Sequence, residues 1–186
     1  SQIAFQTAFK GFNVTIYDIN VDLYSQGIEN LELLKNIYLR EAHATEEEVD
    51  AAFNNISYSF NLSEAVQDAD LTIEAIPENI EIKQKLYTEL GRVAPAKTIF
   101  TTNSSTMLPS DLMEFTGRPH KFLALHFSNL LFHCNIAEIM KSSETDADSY
   151  NTVIEFAEAI GMIPILVKQE QRGYILNSLL MPFMAA

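Results

Sequence analysis

Cysteine is almost absent. Cys134 stands alone in 186 residues, so no disulfide can form within the chain. A lone thiol fits a reducing compartment, and a cytoplasmic location is the expectation. Basic residues are scarce as well: 12 Lys and Arg face 25 Asp and Glu, a formal net charge of −13. That sign argues against nucleic acid as a partner, although a small anionic ligand needs only a local set of donors. No apolar run approaches the length of a membrane span, and Ser1–Phe5 has no basic stretch leading into an apolar one. Neither a membrane anchor nor a signal peptide is therefore expected. The glycines, at 11, 27, 91, 117, 161 and 173, never cluster, so no Gly-x-Gly-x-x-Gly phosphate turn is present. His133 and Cys134 adjoin without a second pair at zinc spacing, and no metal site is expected.

Apolar material is sufficient for one good core: 47% of residues are hydrophobic and 20% charged. Ser1 to Lys10 reads as a helix closed by Gly11, with Phe5, Ala8 and Phe9 on one face. Strands are expected at Asn13–Asp18, Ile56–Phe60, Asp70–Ile76, Thr98–Thr102, Phe122–Phe127 and Ile163–Val167, with a further apolar segment around Glu138. Between them lie helical patterns at Val21–His43, from Thr45 (capping box to Glu48), Leu62–Gln67, Glu78–Val93 and Thr145–Ile160 (a second box closed by Asp148). Ile82, Leu86, Leu90 and Val93 would form the apolar face of the fourth. Gly173 opens a last apolar helix, Tyr174–Ala186, without a cap signal at its end. Alternating strands and helices imply an α/β fold, a Rossmann-type doubly wound, mostly parallel sheet. The sheet lacks a first strand in this reading, and the fold is expected to be truncated at both ends, with the glycine turn belonging just before Ser1.

Chemistry concentrates where strands end. Phe122–Phe127 is a buried strand by composition, and His126 lies at its carboxyl end, where open α/β sheets carry their sites. An antiparallel return would bring Glu138 back to it, and a histidine oriented by a carboxylate is the usual general base near neutral pH. A core histidine satisfied by a backbone carbonyl reads equally well from these residues alone. Asp18 ends the strand whose acid accepts hydrogen bonds from an adenosine ribose; a solvated strand-end aspartate is the plainer reading. Glu78 and Asn79 fall at a helix start, and Lys83 one turn on can reach a ribose or phosphate, or simply be solvated. Asn103-Ser104-Ser105 can orient a substrate oxygen or cap a helix. No Gly-x-Ser-x-Gly elbow surrounds Ser105, which disfavours a hydrolase nucleophile.

Four motifs occur in order: Ile73-Glu74-Ala75-Ile76-Pro77-Glu78-Asn79 with Lys83; Thr102-Asn103-Ser104-Ser105; Leu125-His126-Phe127-Ser128-Asn129 with Glu138; and Gly173-Tyr174-Ile175-Leu176-Asn177 with Leu179-Leu180 and Pro182. Together they resemble the L-3-hydroxyacyl-CoA dehydrogenase family, including the bacterial 3-hydroxybutyryl-CoA dehydrogenases, over nearly the whole chain. The resemblance implies an NAD-binding Rossmann-type domain at 1–172 and the start of a helical, dimer-forming domain at 173–186. It implies hydride transfer between NAD and a short-chain L-3-hydroxyacyl-CoA, a step of fatty acid metabolism (β-oxidation). In it His126 is the base, Glu138 its partner, and Ser105 and Asn177 support the developing carbonyl. Asp18, Ala75, Glu78, Lys83 and Asn103 hold the cofactor, and Ser105, Asn129 and Asn177 lie by the acyl-CoA. The implied assembly is a homodimer through the helical domain. Two departures stand out: Leu130 where the family has proline, and Cys134-Asn135-Ile136-Ala137 where it has Met-Lys-Leu-Val before the glutamate. The altered run supports one alternative, an NAD-dependent dehydrogenase of a hydroxy acid without CoA; against another, a crystallin-like NAD-binding relative without activity, stands the intact set of Ser105, His126 and Glu138.

Asp18 yields a first test. A carboxylate facing a 2′-phosphate is repelled, at a cost of several kcal/mol in a desolvated site. Steady-state kinetics of the full-length protein with both cofactors should favour NADH over NADPH; equal kcat/KM would remove Asp18 from the ribose site.

Overall fold

The computed structural model describes residues 1–185, with backbone only at 21, 22 and 185; Ala186, the end of the expected last helix, lies outside the described residues. The order is α1 (Gln2–Phe9), β1 (Val14–Tyr17), α2 (Val21–Glu41), α3 (Glu46–Asn54), β2 (Ile56–Ser59), α4 (Leu62–Val66), β3 (Leu71–Glu74), α5 (Ile80–Val93) and β4 (Ile99–Thr102). Then follow α6 (Pro109–Leu112), two 3₁₀ turns, β5 (Phe122–Phe127), β6 (Ile136–Lys141), α7 (Ala147–Ala159), β7 (Ile163–Val167) and α8 (Leu176–Ala185). Hydrogen bonding divides the strands into a parallel pair, β1-β2, and a five-stranded sheet in the order β3-β4-β5-β6-β7. All neighbours are parallel except β5 and β6. The mostly parallel α/β expectation holds, but as two sheets with no ladder between β1 and β3.

β5 explains the layering. All six of its residues are buried, and successive side chains alternate between faces. Leu123, Leu125 and Phe127 enter a cluster with Val153 and Ala157 of α7 and with Ile160, which caps it. Phe122 enters the opposite cluster, with Tyr87 and Leu90 of α5 and Leu62 and Val66 of α4. Each such side chain contributes roughly 1.5–3 kcal/mol by leaving water. A third cluster, around Phe5, Leu31, Tyr38 and Val49, packs α1, α2 and α3 on the β1-β2 pair. Pro164 sits in β7, at the sheet edge, where a missing N–H is tolerated.

Local signals behave as their chemistry requires, with three corrections. Thr45 and Glu48 form the expected capping box, and Gly161 has φ of +83° after α7. The N-cap of α7, however, is Asp146, whose carboxylate accepts from the Ser149 N–H. Thr145 is instead buried, its hydroxyl donating to the Phe122 carbonyl, so no Thr145–Asp148 box exists. α5 is rotated from its expected face: Lys83, Tyr87 and Leu90 are buried and Ile82 is exposed, because polar partners for Lys83 and Tyr87 lie in the sheet. α8 begins at Leu176, since Gly173 and Tyr174 both take positive φ and form a turn ahead of it.

Gly91 marks a tight joint within α5. A Cβ there would lie 2.2 Å from the Thr116 carbonyl oxygen, which belongs to a fixed 3₁₀ turn. Gly91→Ala should thus destabilise the fold by roughly 1–3 kcal/mol despite alanine's better helix propensity. Thermal melts should show a lowered Tm; an unchanged or raised Tm would mean that the turn yields at no cost.

Candidate active site

The reactive end of the sheet is set by register. In the antiparallel β5-β6 pair, His126 lies directly opposite Glu138. Both point to the face that Ala124 and Met140 share with Tyr174, as two-residue periodicity demands. Glu138 Oε2 lies 2.8 Å from His126 Nδ1. An ionised carboxylate only accepts, so Nδ1 carries the proton and Nε2 is left as the acceptor. Ser105, in the loop after β4, places Oγ 3.2 Å from Nε2. The three residues expected to act together are thus in one hydrogen-bonded line, and the reading of His126 as a core histidine bonded to backbone is set aside.

Glu138 is held at its other oxygen by the turn before α8. The N–H groups of Ile175 and Leu176 both donate to Oε1 at 2.8 Å. Burial opposes ionisation of Glu138, but the bond from His126 and these two N–H groups outweigh it and lower its carboxyl below the ordinary range. Tyr174, fully buried, lays its ring 4.7 Å from the imidazole centroid. Its burial and the nearby carboxylates push the phenol up, so it stays neutral beside the base. Neither the Ile175 and Leu176 grip nor Tyr174 was singled out from sequence. The Gly-Tyr pair before an apolar helix was the available signal.

A second polar cluster flanks the first. Glu78 Oε1 accepts from the hydroxyls of Ser104 and Thr106 and from the Thr106 N–H, while Oε2 faces Lys83 Nζ at 3.2 Å. Its partial burial works against the charge, yet the two hydroxyls and Lys83 bring its carboxyl down to about 2. Asn103 Oδ1 accepts from the Phe127 N–H, tying the end of β4 to that of β5 and leaving the NH₂ end for a ligand. Lys83, expected to reach outward, is 1% exposed and also bonded to Glu74 at 2.6 Å. Its charge therefore meets a ligand only through Glu78. Glu74, Ser104 and Thr106 were not assigned from sequence, though an acid inside the apolar run Leu71–Ile76 was a visible anomaly.

The remaining expected residues are more loosely placed. Asp18 follows β1, where its Oδ1 accepts from the Asn20 N–H and its other oxygen suits a ribose hydroxyl. Ala75 is exposed just past β3. Asn129 is exposed after β5, and Asn177 is half-buried in the first turn of α8; among the described residues neither bonds to the His126 line. Leu130, at φ of +59°, starts a loop that leans on α1 and α2 through Gln2–Leu131 and Glu41–His133 contacts. The donor set suits a dinucleotide: acceptors for ribose hydroxyls at Asp18 and Glu78, an amide at Asn103, and a small residue at 75. Among the described residues no His, Cys, Asp and Glu group could hold a metal ion.

Comparison with known proteins gives a consistent result. A family model described as "3-hydroxyacyl-CoA dehydrogenase, NAD binding domain" matches residues 1–170. A curated relative from Caenorhabditis elegans, named "Probable 3-hydroxyacyl-CoA dehydrogenase", is 33% identical over 99% of the chain and 61% of its own length. A solved diketoreductase, described as catalysing dicarbonyl compounds, is 54% identical with a TM-score of 0.94, across 97% of this chain and 64% of that one. The (S)-3-hydroxybutyryl-CoA dehydrogenase PaaH1 from Ralstonia eutropha shares the fold, with a TM-score of 0.91 at 24% identity, over 98% of this chain and 64% of that one. The chain thus spans about three-fifths of the length of the curated relative.

The carboxylates make stability depend on acid. A group whose folded pKa is depressed stabilises the fold above its unfolded pKa and loses that contribution as pH falls through the folded value. For Glu78 the window runs from 4.5 down to about 2. Glu78→Gln should therefore lower stability near neutral pH and flatten its decline between about pH 5 and about pH 3. Denaturant titrations at both pH values check this; an unchanged decline would mean that Glu78 ionises alike in both states.

Proposed function

This chain belongs to the 3-hydroxyacyl-CoA dehydrogenase NAD-binding domain family, and from that premise we propose that the whole protein is an NAD-dependent oxidoreductase interconverting L-3-hydroxyacyl-CoA and 3-oxoacyl-CoA. One observation carries the reading: Ser105, His126 and Glu138 stand in a single line at the carboxyl end of the sheet. Short acyl chains, a role in fatty acid oxidation, a homodimer and a cytoplasmic location belong to the same proposal.

In the oxidation direction, Nε2 of His126 takes the proton of the substrate hydroxyl. Glu138 fixes the tautomer and stabilises the imidazolium that forms. Ser105 moves from Nε2 to the substrate oxygen, and Asn177 assists it as the carbonyl develops. NAD, when bound, supplies the acceptor for the C3 hydride. Asp18 holds its adenosine ribose; Glu78 and Asn103 hold the nicotinamide half, with Ala75 lining the approach and Lys83 acting through Glu78. Asn129 lies by the acyl-CoA. A serine, histidine and carboxylate in line also suit acyl transfer, but Ser105 lies on no nucleophile elbow.

A second reading is favoured by the 54% identity to the diketoreductase. It is reduction of a dicarbonyl compound that carries no CoA. A 3-oxoacyl thioester is itself a dicarbonyl, so the same residues serve both substrates. The change to Leu130 and Cys134–Ala137 before Glu138 supports the smaller one. So does the commitment of nearby cations: Lys83 is buried against Glu74, and Arg172 is paired with Asp111.

Oxidation of NADH by the full-length protein should be followed with acetoacetyl-CoA and with a 1,3-diketone ester lacking the thioester. Turnover of the thioester at far higher kcat/KM supports the main reading; the reverse order establishes the second; turnover of neither removes both. On the better substrate, Glu138→Gln should lower kcat by about two to four decades with NADH affinity little changed. His126→Ala should cost at least as much, and adding Glu138→Gln to it little more, because the pair acts as a unit. Simply multiplied losses would show that they work independently.

A further inference from the structure

Glu74 takes no part in the reaction described above, yet it is fully buried and held by four donors. Its Oε1 accepts from the Ile76 N–H at 2.8 Å and from Lys83 Nζ at 2.6 Å. Its Oε2 accepts from the Tyr87 hydroxyl at 3.1 Å and the Thr102 hydroxyl at 2.8 Å. Burial and the Glu74 charge push the Tyr87 phenol well up, so it serves as donor. The Glu74 and Lys83 side chains are each 1% exposed.

Such a pair is a weak source of stability, because apolar residues of equal volume would do as well or better. What it supplies is orientation, and the contacts show of what. Two routes lead from Glu74, and both end on Glu78. Along the first, Glu74 holds Lys83, which faces Glu78 Oε2. Along the second, Glu74 Oε2 accepts a hydrogen bond from the Thr102 hydroxyl, Thr102 Oγ1 accepts from the Ser104 N–H at 3.2 Å, and Ser104 Oγ donates to Glu78 Oε1. Each oxygen of Glu78 is thus gripped by a group that Glu74 fixes. Each carboxylate oxygen offers about two acceptor positions; three donors already crowd Oε1, whereas Oε2 meets only Lys83 Nζ. The position left on Oε2 is the one for a ligand hydroxyl.

We propose that Glu74 is a positioning residue for cofactor binding: through Lys83 and Thr102–Ser104 it aims the free acceptor of Glu78 at the ribose of the nicotinamide half. The inference rests on the reading that Glu78 holds that ribose. Its mark is a loss of cofactor affinity without a matching loss at the His126 line, which shares no hydrogen bond with Glu74.

The test uses the full-length protein and NADH, with Kd from nicotinamide fluorescence, kcat at saturating NADH, and Tm. Glu74→Gln keeps the shape and removes the charge. It should weaken NADH binding about tenfold, the scale at which groups supporting a ligand's own contacts act, with kcat within about threefold of wild type. Wild-type NADH affinity in this variant overturns the proposal, as does an equal fall in kcat. Should Glu74→Gln fold poorly, Glu74→Leu with Lys83→Met removes both buried charges together. That double variant should melt near the wild-type Tm and still bind NADH at least about tenfold more weakly; recovery of NADH affinity along with Tm would show that Glu74 only stabilises the fold. Glu78→Gln separates the two levels. Unchanged NADH affinity there sinks the ribose reading and the proposal with it. Weakened binding there, with none in Glu74→Gln, sinks the proposal alone.

Discussion

The antiparallel register of β5 and β6 is the constraint on which the site depends. Every other neighbouring pair of strands is parallel, and a parallel return would carry Glu138 to a different height along the sheet. By doubling straight back, the chain sets a carboxylate beside an imidazole with no long side chain or loop to hold the distance. The backbone ladder does that work, and around His126 and Glu138 both of its strands are buried. A base built on paired strands is more exactly fixed than one built on loops.

Burial makes this arrangement exacting. An ionised carboxylate inside a protein is tolerated only where donors replace the water it has lost. Glu138 has three such donors and Glu74 four. Loss of one leaves a charge without compensation, which costs more than the bond itself contributes. The two carboxylates divide the labour. One holds the imidazole of His126; the other holds Lys83 and Thr102 beside Glu78. Glu138 lies in β6, opposite the end of β5, and Glu74 ends β3, with the Asn103 amide spanning β4 and β5 between them.

Much of this was legible in the sequence, for physical reasons. An apolar run ending in histidine could hardly be anything but a buried strand, and the next apolar run holding one acid was its natural partner. The capping box of α3 and the positive φ of Gly161 follow from local chemistry alone. The errors arose where a polar group is buried. α5 was read from its aliphatic residues, which placed Ile82 inside; the true face follows Lys83 and Tyr87, whose partners lie far away in the chain. Glu74 is visible in the sequence as an acid in an apolar run, but its role is not, since its donors come from three separate elements. Backbone donors such as Ile175 and Leu176 N–H have no side-chain signature at all. The division of the strands into two sheets is likewise a matter of which edges meet, which periodicity does not encode.

One consequence of the Glu138 contacts reaches beyond the site. The same carboxylate is bonded to His126 on one oxygen and to the Ile175 and Leu176 N–H groups, where the chain enters α8, on the other. If α8 shifts away, two buried bonds break and the partner of His126 loses its aim. Docking of that segment and the aim of the Glu138 carboxylate at His126 are therefore a single equilibrium.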